Sequence, residues 1–339
     1  RDLRSTSRRQ RQMCIRDRRM DGSDLFGVDK KYRFLPIYSV SGLYRISNEP
    51  FFKPATGWMD NLSLRLSYGL QGNIDKNTSP YLIGTYGTQT ILPNNTENSI
   101  SISSAPNDKL RWEKTASYNI GVDFSVLKSA INLSVDYYYR KGTDLIGVKN
   151  LPLENGFNGM TINWASMENK GVEVNLQTRN ITTKNFSWYT TFNFAYNQNK
   201  VLKVLTDKSQ VTPSLEGYPV GAIFALKTKG INPDTGQIYL ENKEGKAVTV
   251  EELFRMTSNE DGLGTYQIGP STEEQRDFYS YVGTSDAPYT GGFLNTFNYR
   301  NWELNLNFSY NFGAHVKTTP SYNVSDLDPG RNMNRDIPD

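Results

Sequence analysis

Residues 302–312 read WELNLNFSYNF, and every second position of this stretch holds a large apolar side chain. The intervening positions hold glutamate, asparagine or serine. Side chains on a β-strand point alternately to opposite faces, so the pattern predicts a strand with one apolar face and one polar face. The length of the stretch also matches the roughly 9–11 residues with which a tilted strand crosses a bilayer.

The same alternation recurs along the chain, with small or amide-bearing residues opposite aliphatic and aromatic ones. The clear segments are 36–46, 62–70, 117–126, 130–140, 171–178, 186–197 and 302–312, and weaker strands are predicted at 220–230 and 289–299. Several exceed the about 5–6 residues typical of strands in soluble domains. The predicted fold class is all-β, as part of a transmembrane antiparallel up-and-down β-barrel. A soluble β-sandwich, whose strands also alternate, is the alternative.

Composition and connections favour the barrel. Only 37% of residues are hydrophobic and the mean hydropathy is −0.61, yet the chain has 21 Tyr and 16 Phe. No run reaches the about 18 apolar residues of a transmembrane helix. Short turns are predicted at 128–129 and 184–185, and long loops at 72–109, 141–168, 200–219, 232–288 and 313–339. Short turns on one side and long loops on the other are typical of outer-membrane barrels. We therefore expect the chain to lie in the outer membrane and to contact outer-membrane lipid.

The first eighteen residues differ from the remainder. The string RRQRQMCIRD, from Arg8 to Asp17, reverse-translates to a nucleotide sequence that resembles a transposase sequencing adapter. A basic arm for nucleic acid and an arginine-rich transit peptide are the other interpretations. We expect residues 1–18 to be an adapter artefact without a fold, and residues 19–339 to form the partial barrel with long extracellular loops.

Excluding residues 1–18 changes the charge and the cysteine count. The segment holds seven Arg and two Asp, so its removal leaves 31 basic and 33 acidic residues, about −2 in place of +3. The basis for a nucleic-acid partner then disappears, and none is expected. Cys14 is the only cysteine. The rest of the chain therefore has no disulfide, thiolate metal site or cysteine nucleophile.

Candidate chemical groups are few. His315 is the only histidine and is expected to lie on the surface, so a zinc site is not expected. The acidic pairs Glu251-Glu252, Glu260-Asp261 and Glu273-Glu274 have carboxylates suited to glycoside hydrolysis or Ca²⁺, but a solvated loop is the preferred interpretation. Neither a phosphate-binding loop nor a G-x-S-x-G elbow occurs. No catalytic, cofactor-binding or metal-binding residue is predicted.

Aromatic side chains in the predicted long loops leave two interpretations open. They either stack on sugar rings or partner groups, or they stabilise the loops themselves. These residues are Tyr81, Tyr86, Trp164, Tyr266, Tyr279, Tyr281 and Tyr289. No ligand-binding residue can be assigned from these two interpretations.

From residue 19 to the end, the order and spacing of several short motifs resemble the barrel of SusC/RagA-type TonB-dependent outer-membrane transporters of the Bacteroidota. The motifs include DGS at 21–23, RISNE at 45–49, LRLSYG at 64–69, LRWEKT at 110–115, NIGVDF at 119–124, VDYY at 135–138, TDLI at 143–146, MENKGVE at 167–173, GIN at 230–232 and GG at 291–292.

The resemblance implies a larger parent protein. Such transporters close 22 strands into one barrel and have an N-terminal plug and a TonB box, for which this sequence has no counterpart. We therefore expect a fragment with about nine strands.

Function is expected from the parent. The resemblance implies energised import of oligosaccharides or peptides with a SusD-like surface lipoprotein, driven by TonB–ExbB–ExbD through the plug-bearing part. No bond is made or broken, so an enzyme is not expected. The alternatives are a passive porin-like channel and a soluble β-rich glycan-binding or hydrolytic protein.

Overall fold

A computed structural model describes residues 12–23, 33–55, 57–92, 95–102, 104–206, 210–242, 244–254 and 271–318. The strands are β1 Gln12–Gly22, β2 Phe34–Arg45, β3 Met59–Asn73, β4 Gly84–Leu92, β5 Asn95–Ile102, β6 Ser104–Ala105, β7 Glu113–Val126, β8 Ile131–Asn150, β9 Gly159–Thr182, β10 Phe186–Lys203, β11 Ala222–Leu226, β12 Thr228–Ile231, β13 Ile238–Glu241, β14 Ala247–Val248, β15 Tyr279–Thr284, β16 Tyr289–Tyr299 and β17 Trp302–Phe312. Two short helices are α1 Val250–Phe254 and α2 Thr272–Arg276.

One large antiparallel sheet forms a wall. Its strands follow the order β1-β2-β3-β7-β8-β9-β10-β16-β17, and each pairs with its neighbours through backbone hydrogen bonds. Within the described ranges β1 and β17 do not pair with each other, so the wall is open there. The predicted all-β, antiparallel barrel-type architecture is confirmed. None of the helices among these residues is long and apolar enough to cross a membrane.

The strand register gives the wall two chemically different faces. Residues directly opposite in antiparallel strands point to the same side. One row of the apolar face, which we call the outer face, runs Leu66, Ile120, Tyr137, Val172, Tyr196, Tyr289 and Phe312. The adjacent row of the polar face, the inner face, runs Arg65, Gly121, Asp136, Glu173, Ala195, Thr290 and Asn311.

Among the described residues, no other element covers the outer face. Phe308 is 60% exposed, Leu304 55% and Ile120 49%. The buried core cluster among the described residues is small and consists of Leu35, Leu110 and Trp112. A soluble sandwich would bury its apolar face against a second sheet. An uncovered apolar face suits contact with lipid, and it argues against the sandwich alternative.

Aromatic rings border the apolar band at both ends. Tyr38, Tyr68, Tyr118 and Tyr139 lie side by side on four adjacent strands, with ring centroids 5.8, 4.7 and 6.1 Å apart. We call these four the tyrosine row. Trp188 stacks on Phe297 at the opposite end, 5.6 Å away. Along β10, Trp188 and Tyr196 are separated by about 26 Å at roughly 3.3 Å per residue. A strand tilt of about 40° reduces this to about 20 Å, close to the apolar band of outer-membrane barrels.

The connections identify the two ends of the wall. Residues 127–130, 183–185 and 300–301 are short turns at the end near Trp188. The longest connections, 74–112 and 204–288, leave from the end that carries the tyrosine row, whereas residues 46–58 join β2 to β3 at the short-turn end. In outer-membrane barrels the short turns are periplasmic and the long loops extracellular, so the tyrosine row marks the extracellular side.

Two sequence-based predictions about this end were wrong. Residues 141–168 are mostly strand, because β8 and β9 continue past the tyrosine row as a hairpin. A β-bulge between Gly142 and Leu145 shifts the register of this pair. The polar sequence that suggested a loop belongs to the part of these strands that extends beyond the membrane. Residues 220–230 do not join the wall. There β11 pairs with β15, and β12 pairs with β13, in small separate sheets. Alternation over so few residues cannot distinguish a strand of the wall from a strand of a small loop sheet.

Residues 12–18 form the first part of β1, and residues 1–11 lie outside the described part of the chain. In β1, Arg16 and Arg18 lie opposite Val40 and Tyr38 and therefore on the apolar face. Both arginines lie level with Tyr38 and Tyr68 of the tyrosine row, where an arginine on the lipid face costs only about 0–1 kcal/mol. Their position is therefore compatible with the border of the apolar band. We propose from the sequence that residues 1–18 are foreign to the native wall. Sequencing the genomic DNA at this position tests it, and finding these codons there would refute it.

Three glycines allow long side chains to pass over a neighbouring strand. Tyr138 of β8 lies over Gly171 of β9 and donates from its hydroxyl to Asn197 of β10, 3.0 Å away. A Cβ atom on Gly171 would lie 2.6 Å from the Tyr138 hydroxyl and 2.2 Å from the carbonyl oxygen of Tyr196. Only glycine permits this close approach.

The other two glycines follow the same geometry. Tyr310 of β17 lies over Gly291 of β16, and its hydroxyl donates to the Asn193 carbonyl of β10 at 3.1 Å. Gly121 of β7 lies under the side chain of Arg65. Each contact links three consecutive strands.

Substituting Gly171→Ala is expected to destabilise the wall by about 1–3 kcal/mol, because the new methyl group overlaps a backbone carbonyl that cannot move freely. The matched control is Gly69→Ala on the same face, where an added Cβ meets its nearest atom at 3.6 Å. Thermal unfolding of the full-length protein in detergent measures both. Equal melting temperatures for the two variants would contradict the prediction.

Candidate substrate-facing surface

An arginine-centred network occupies the inner face on three adjacent strands. The Arg65 guanidinium of β3 donates from Nε to Asp123 of β7 at 2.8 Å and from Nη2 to Asp136 of β8 at 2.8 Å. Nη2 also donates to the Ser134 hydroxyl at 3.0 Å. Arginine suits this position because its planar fork holds two carboxylates at once. The two carboxylates thus share one cation, and the network fixes the relative position of the strands.

Gly121 makes the network possible. It lies between Arg65 and Asp136 in the row, and a Cβ there would be 2.5 Å from an Asp136 oxygen and 2.8 Å from the Arg65 guanidinium carbon. Any larger residue would force the two groups apart. The absent side chain is therefore part of the ion-pair geometry.

Hydroxyl and amide groups continue the inner face toward the extracellular side. Asn199 donates to the Asn169 amide oxygen at 2.8 Å and accepts from the backbone N–H of Val220 at 2.7 Å. This chain of bonds attaches the loop after β10 to the wall. The loop is thereby held over the inner face.

One hollow of this polar surface, of about 530 Å³, lies over Arg65, Ser117 and Asn119. Two more lie along β8, β9 and β10. The smaller of these two, of about 290 Å³, is lined on the wall by Ser134, Asp136, Glu173, Asn175, Asn193 and Thr290. The other, of about 420 Å³, which we call the larger hollow of this pair, lies where the loops meet the wall and is lined by Asn169, Asn197, Tyr281, Thr284, Asp286 and Pro288, among others. Both offer amide, hydroxyl and carboxylate groups. Such groups suit polar ligands rich in hydroxyls or amides.

The extracellular rim is fixed by the segment Leu110–Glu113. Leu110 is 1% exposed and packs with Leu35 and Trp112. The Asn163 amide of β9 donates to the carbonyls of Arg111 and Asp144 at 2.7 Å each. The segment thus connects β7 to the projecting β8–β9 hairpin.

Asp144 adopts a left-handed backbone conformation, with φ of 57°, at the bulge of β8. Its carboxylate pairs with Arg111 at 2.6 Å and Lys114 at 3.1 Å. Burial opposes ionisation, but these hydrogen bonds and charges outweigh it and lower the pKa of Asp144 below its ordinary value. The ion pairs therefore hold a strained residue where the hairpin leaves the wall.

The loop aromatics occupy different environments. Tyr281 packs with Tyr218 and Phe224, with centroids 5.1 and 6.1 Å away, and contributes to the larger hollow. Trp164 is in β9, not in a loop, and the Lys203 ammonium lies 3.4 Å from its ring centroid. Tyr81 and Tyr86 are exposed, Tyr279 is half-buried and Tyr289 faces outward on β16, whereas Tyr266 lies outside the described residues. Of the loop aromatics within the described residues, only Tyr281 borders a hollow at the inner face.

Two members of the acidic pairs, Glu252 and Glu274, line one hollow of about 260 Å³ together with Glu244. Both accept backbone hydrogen bonds there. Glu274 caps α2 by accepting from the Ser271 backbone at 2.8 Å, and Glu252 accepts from the Thr249 backbone at 2.9 Å. Glu260 and Asp261 lie outside the described residues. His315 is exposed, as expected. Among the described residues, no three His, Cys, Asp or Glu side chains are grouped to hold a metal ion.

The Arg65 network was missed from sequence, where its members were only polar positions of separate strands. A usable signal was present. Arg65, Asp123 and Asp136 carry full charges on predicted neighbouring strands whose other polar positions are mostly small or amide-bearing. Opposite charges on neighbouring strands predict a cross-strand pair once the register is known.

Substituting Arg65→Gln is expected to destabilise the wall by about 1–3 kcal/mol, because two partly buried carboxylates then face each other without a cation. The triple variant R65Q/D123N/D136N removes that repulsion and is expected to recover most of the loss. Thermal unfolding of the full-length protein measures both. A triple variant as unstable as the single one would rule out charge pairing as the cause.

Substituting Asp144→Asn is expected to loosen the β8–β9 hairpin by about 1 kcal/mol, since asparagine tolerates the left-handed backbone but cannot form the ion pairs. Asp144→Ala adds backbone strain of about 1 kcal/mol or more. Hydrogen exchange of residues 145–150 and 159–165 reports the effect.

The pH dependence gives a separate test of the same ion pairs. Because the folded pKa of Asp144 is lowered, its stabilisation is present above the ordinary value of 3.8 and is lost as the pH falls through the folded pKa. Wild type should lose hairpin protection in that acid range, and D144N should lack this step. Identical acid profiles would contradict the assignment.

Known proteins resemble this chain over most of its length. The family described as "TonB dependent receptor-like, beta-barrel" matches residues 18–327. TonB-dependent receptor P39 of Formosa agariphila is 29% identical over 325 residues, covering 88% of this chain and 31% of that protein. TonB-dependent receptor SusC of Bacteroides thetaiotaomicron is 33% identical over 192 residues, covering 55% of this chain and 19% of that protein.

A solved structure shows the same architecture. The RagAB peptide importer in its "closed-closed" state matches with a TM-score of 0.70 and 25% identity, over 90% of this chain and 32% of that chain. The chain spans about a third of the length of the relatives that match 88% of it. The chain belongs to the TonB-dependent receptor β-barrel family, as a SusC/RagA-type member, and its wall lies in the outer membrane.

Proposed function

We propose that the chain forms part of the lumen wall of an importer that takes up oligosaccharides or peptides in complex with a SusD-like surface lipoprotein. The observation that carries the proposal is the inner face, where amides, hydroxyls and a few paired charges line the side opposite the lipid. The likeness to SusC and to a peptide importer supports this direction. TonB–ExbB–ExbD supplies the energy through the plug-bearing part of the receptor.

The wall residues act by binding and not by covalent chemistry. A translocating ligand exchanges hydrogen bonds with water for bonds with amides and hydroxyls along the inner face, so it passes without a large desolvation cost. The ordered strands keep those groups in fixed positions. The relatives are receptors and transporters, and the inner face requires no catalytic group for this role.

The larger hollow is the proposed contact point between arriving ligand and wall. Tyr281 offers an aromatic ring beside Asn197 and Asp286, a combination that recognises sugar rings or peptide groups. The loop carrying Tyr281 is held near the wall by the Asn199–Val220 bond. Ligand released from the lipoprotein would meet this hollow before the deeper one.

Substituting Tyr281→Ala is expected to raise the apparent KM for uptake several-fold, because one ring contact is worth about 1 kcal/mol or more. Tyr86→Ala is the matched control, since that ring is 85% exposed and does not line the hollow. Uptake of fluorescent neutral oligosaccharides and of peptides is measured in cells with equal surface levels of each variant. An unchanged KM for Y281A would remove the hollow from the proposed path.

Energy coupling separates the importer from a passive porin-like channel. Uptake by the complete receptor should stop when TonB is deleted or the proton gradient is collapsed, and should fall when the lipoprotein is deleted. A passive channel would continue to admit ligand without TonB. That outcome would replace the proposal by the channel alternative.

A further inference from the structure

Three lysines form a patch on the outer face at the aromatic border and just above it. Lys141, Lys170 and Lys200 lie on the adjacent strands β8, β9 and β10, and all three are exposed. Lys141 and Lys200 flank Glu168 in one row, and Lys170 lies next to Tyr139 in the row below. The outer face, which is apolar nearer the periplasm, is therefore basic at this height. We call these residues the lysine patch.

The height of the lysine patch corresponds to lipid headgroups. Lys141 lies two residues beyond Tyr139 along β8, and Lys200 four residues beyond Tyr196 along β10. At roughly 3.3 Å per residue these offsets are about 7–13 Å along a tilted strand. The headgroup layer on each side of the hydrocarbon core is about 5–8 Å thick. The ammonium groups consequently reach the layer where lipid phosphates lie.

The positive charge of the lysine patch is largely unbalanced by protein. None of its three lysines has a carboxylate within 4.0 Å in the described ranges. Glu168, the acidic residue between them, instead accepts a hydrogen bond from the Tyr139 hydroxyl at 2.9 Å.

Three charged residues of the extracellular rim pair with one another. Asp144 pairs with Lys114 and Arg111 one step higher on the rim. The lysine patch itself has three positive charges against one negative charge. Glu168 offsets one of these positive charges, and the net positive charge that remains can be neutralised by a bound anion.

We propose that the lysine patch binds the phosphate groups of anionic lipids in the outer leaflet. The patch is continuous with the lipid-facing band, so the molecules beside it are lipids. Ammonium groups on three adjacent strands can donate charge-assisted hydrogen bonds to the oxygens of one or two phosphates. Long lysine stems lie along the apolar surface while the charged ends reach the headgroups. The inference is independent of ligand import, because it concerns the opposite face of the wall.

The test measures lipid binding to the complete receptor in detergent micelles. Phosphatidic acid is titrated as the anionic probe, and phosphatidylcholine and inorganic phosphate serve as comparison ligands. Each basic residue near an anionic lipid surface adds to the free energy of binding. K141Q/K170Q/K200Q should therefore weaken phosphatidic acid binding by about 10- to 100-fold. K141R/K170R/K200R should bind as wild type.

A matched charge control uses three exposed lysines elsewhere. K76Q/K149Q/K184Q removes the same charge from two extracellular segments and a periplasmic turn, and should leave binding unchanged. An equal loss of phosphatidic acid binding in this control would show a general effect of charge and would overturn the proposal. Wild-type affinity in K141Q/K170Q/K200Q would overturn it as well.

Two further results decide the source of the anion. Equal binding of inorganic phosphate would overturn the lipid assignment, whereas a preference for phosphatidic acid over both comparison ligands supports it. If the glutamine variant does not fold, wild-type affinity is followed with rising NaCl. Binding to the patch must weaken as salt screens it, and salt-independent binding would refute the proposal.

Discussion

The unbroken backbone ladder is the constraint on which the rest of this structure depends. In hydrocarbon, each unpaired backbone N–H or C=O costs several kcal/mol, so the interior strands must pair on both sides along the whole membrane thickness. That requirement makes each interior strand pair along its whole length, and the side chains then select the register of each pair. Register then decides which side chains share a face, and the two faces of the wall acquire opposite chemistry.

The two faces obtain their order by different means. Lipid fills the space beside the outer face, so its side chains need not interlock closely, and aromatic rings concentrate where hydrocarbon gives way to headgroups. The inner face faces polar surroundings and is ordered by specific bonds. Arg65 with Asp123 and Asp136, and Tyr138 with Asn197, hold positions that packing alone would leave free.

Much of the wall could be predicted from sequence, because period-two alternation is a local property. The predicted strands 289–299 and 302–312 coincide with β16 and β17. What failed depended on long-range pairing. The outward extension of β8 and β9 required a bulge, the placement of 220–230 required knowing its partner, and the Arg65 network required the register of three strands.

The glycine-bridged contacts have a consequence for how such a wall is assembled. A strand that joins the sheet two residues out of place would still match apolar to apolar and polar to polar. Its backbone ladder would also remain complete. It would, however, bring Glu173 or Asn169 beneath Tyr138 where Gly171 belongs. The space left by the absent side chain of Gly171 accepts the Tyr138 ring in one register only. It therefore disfavours shifted pairings that the hydrophobic pattern alone would allow.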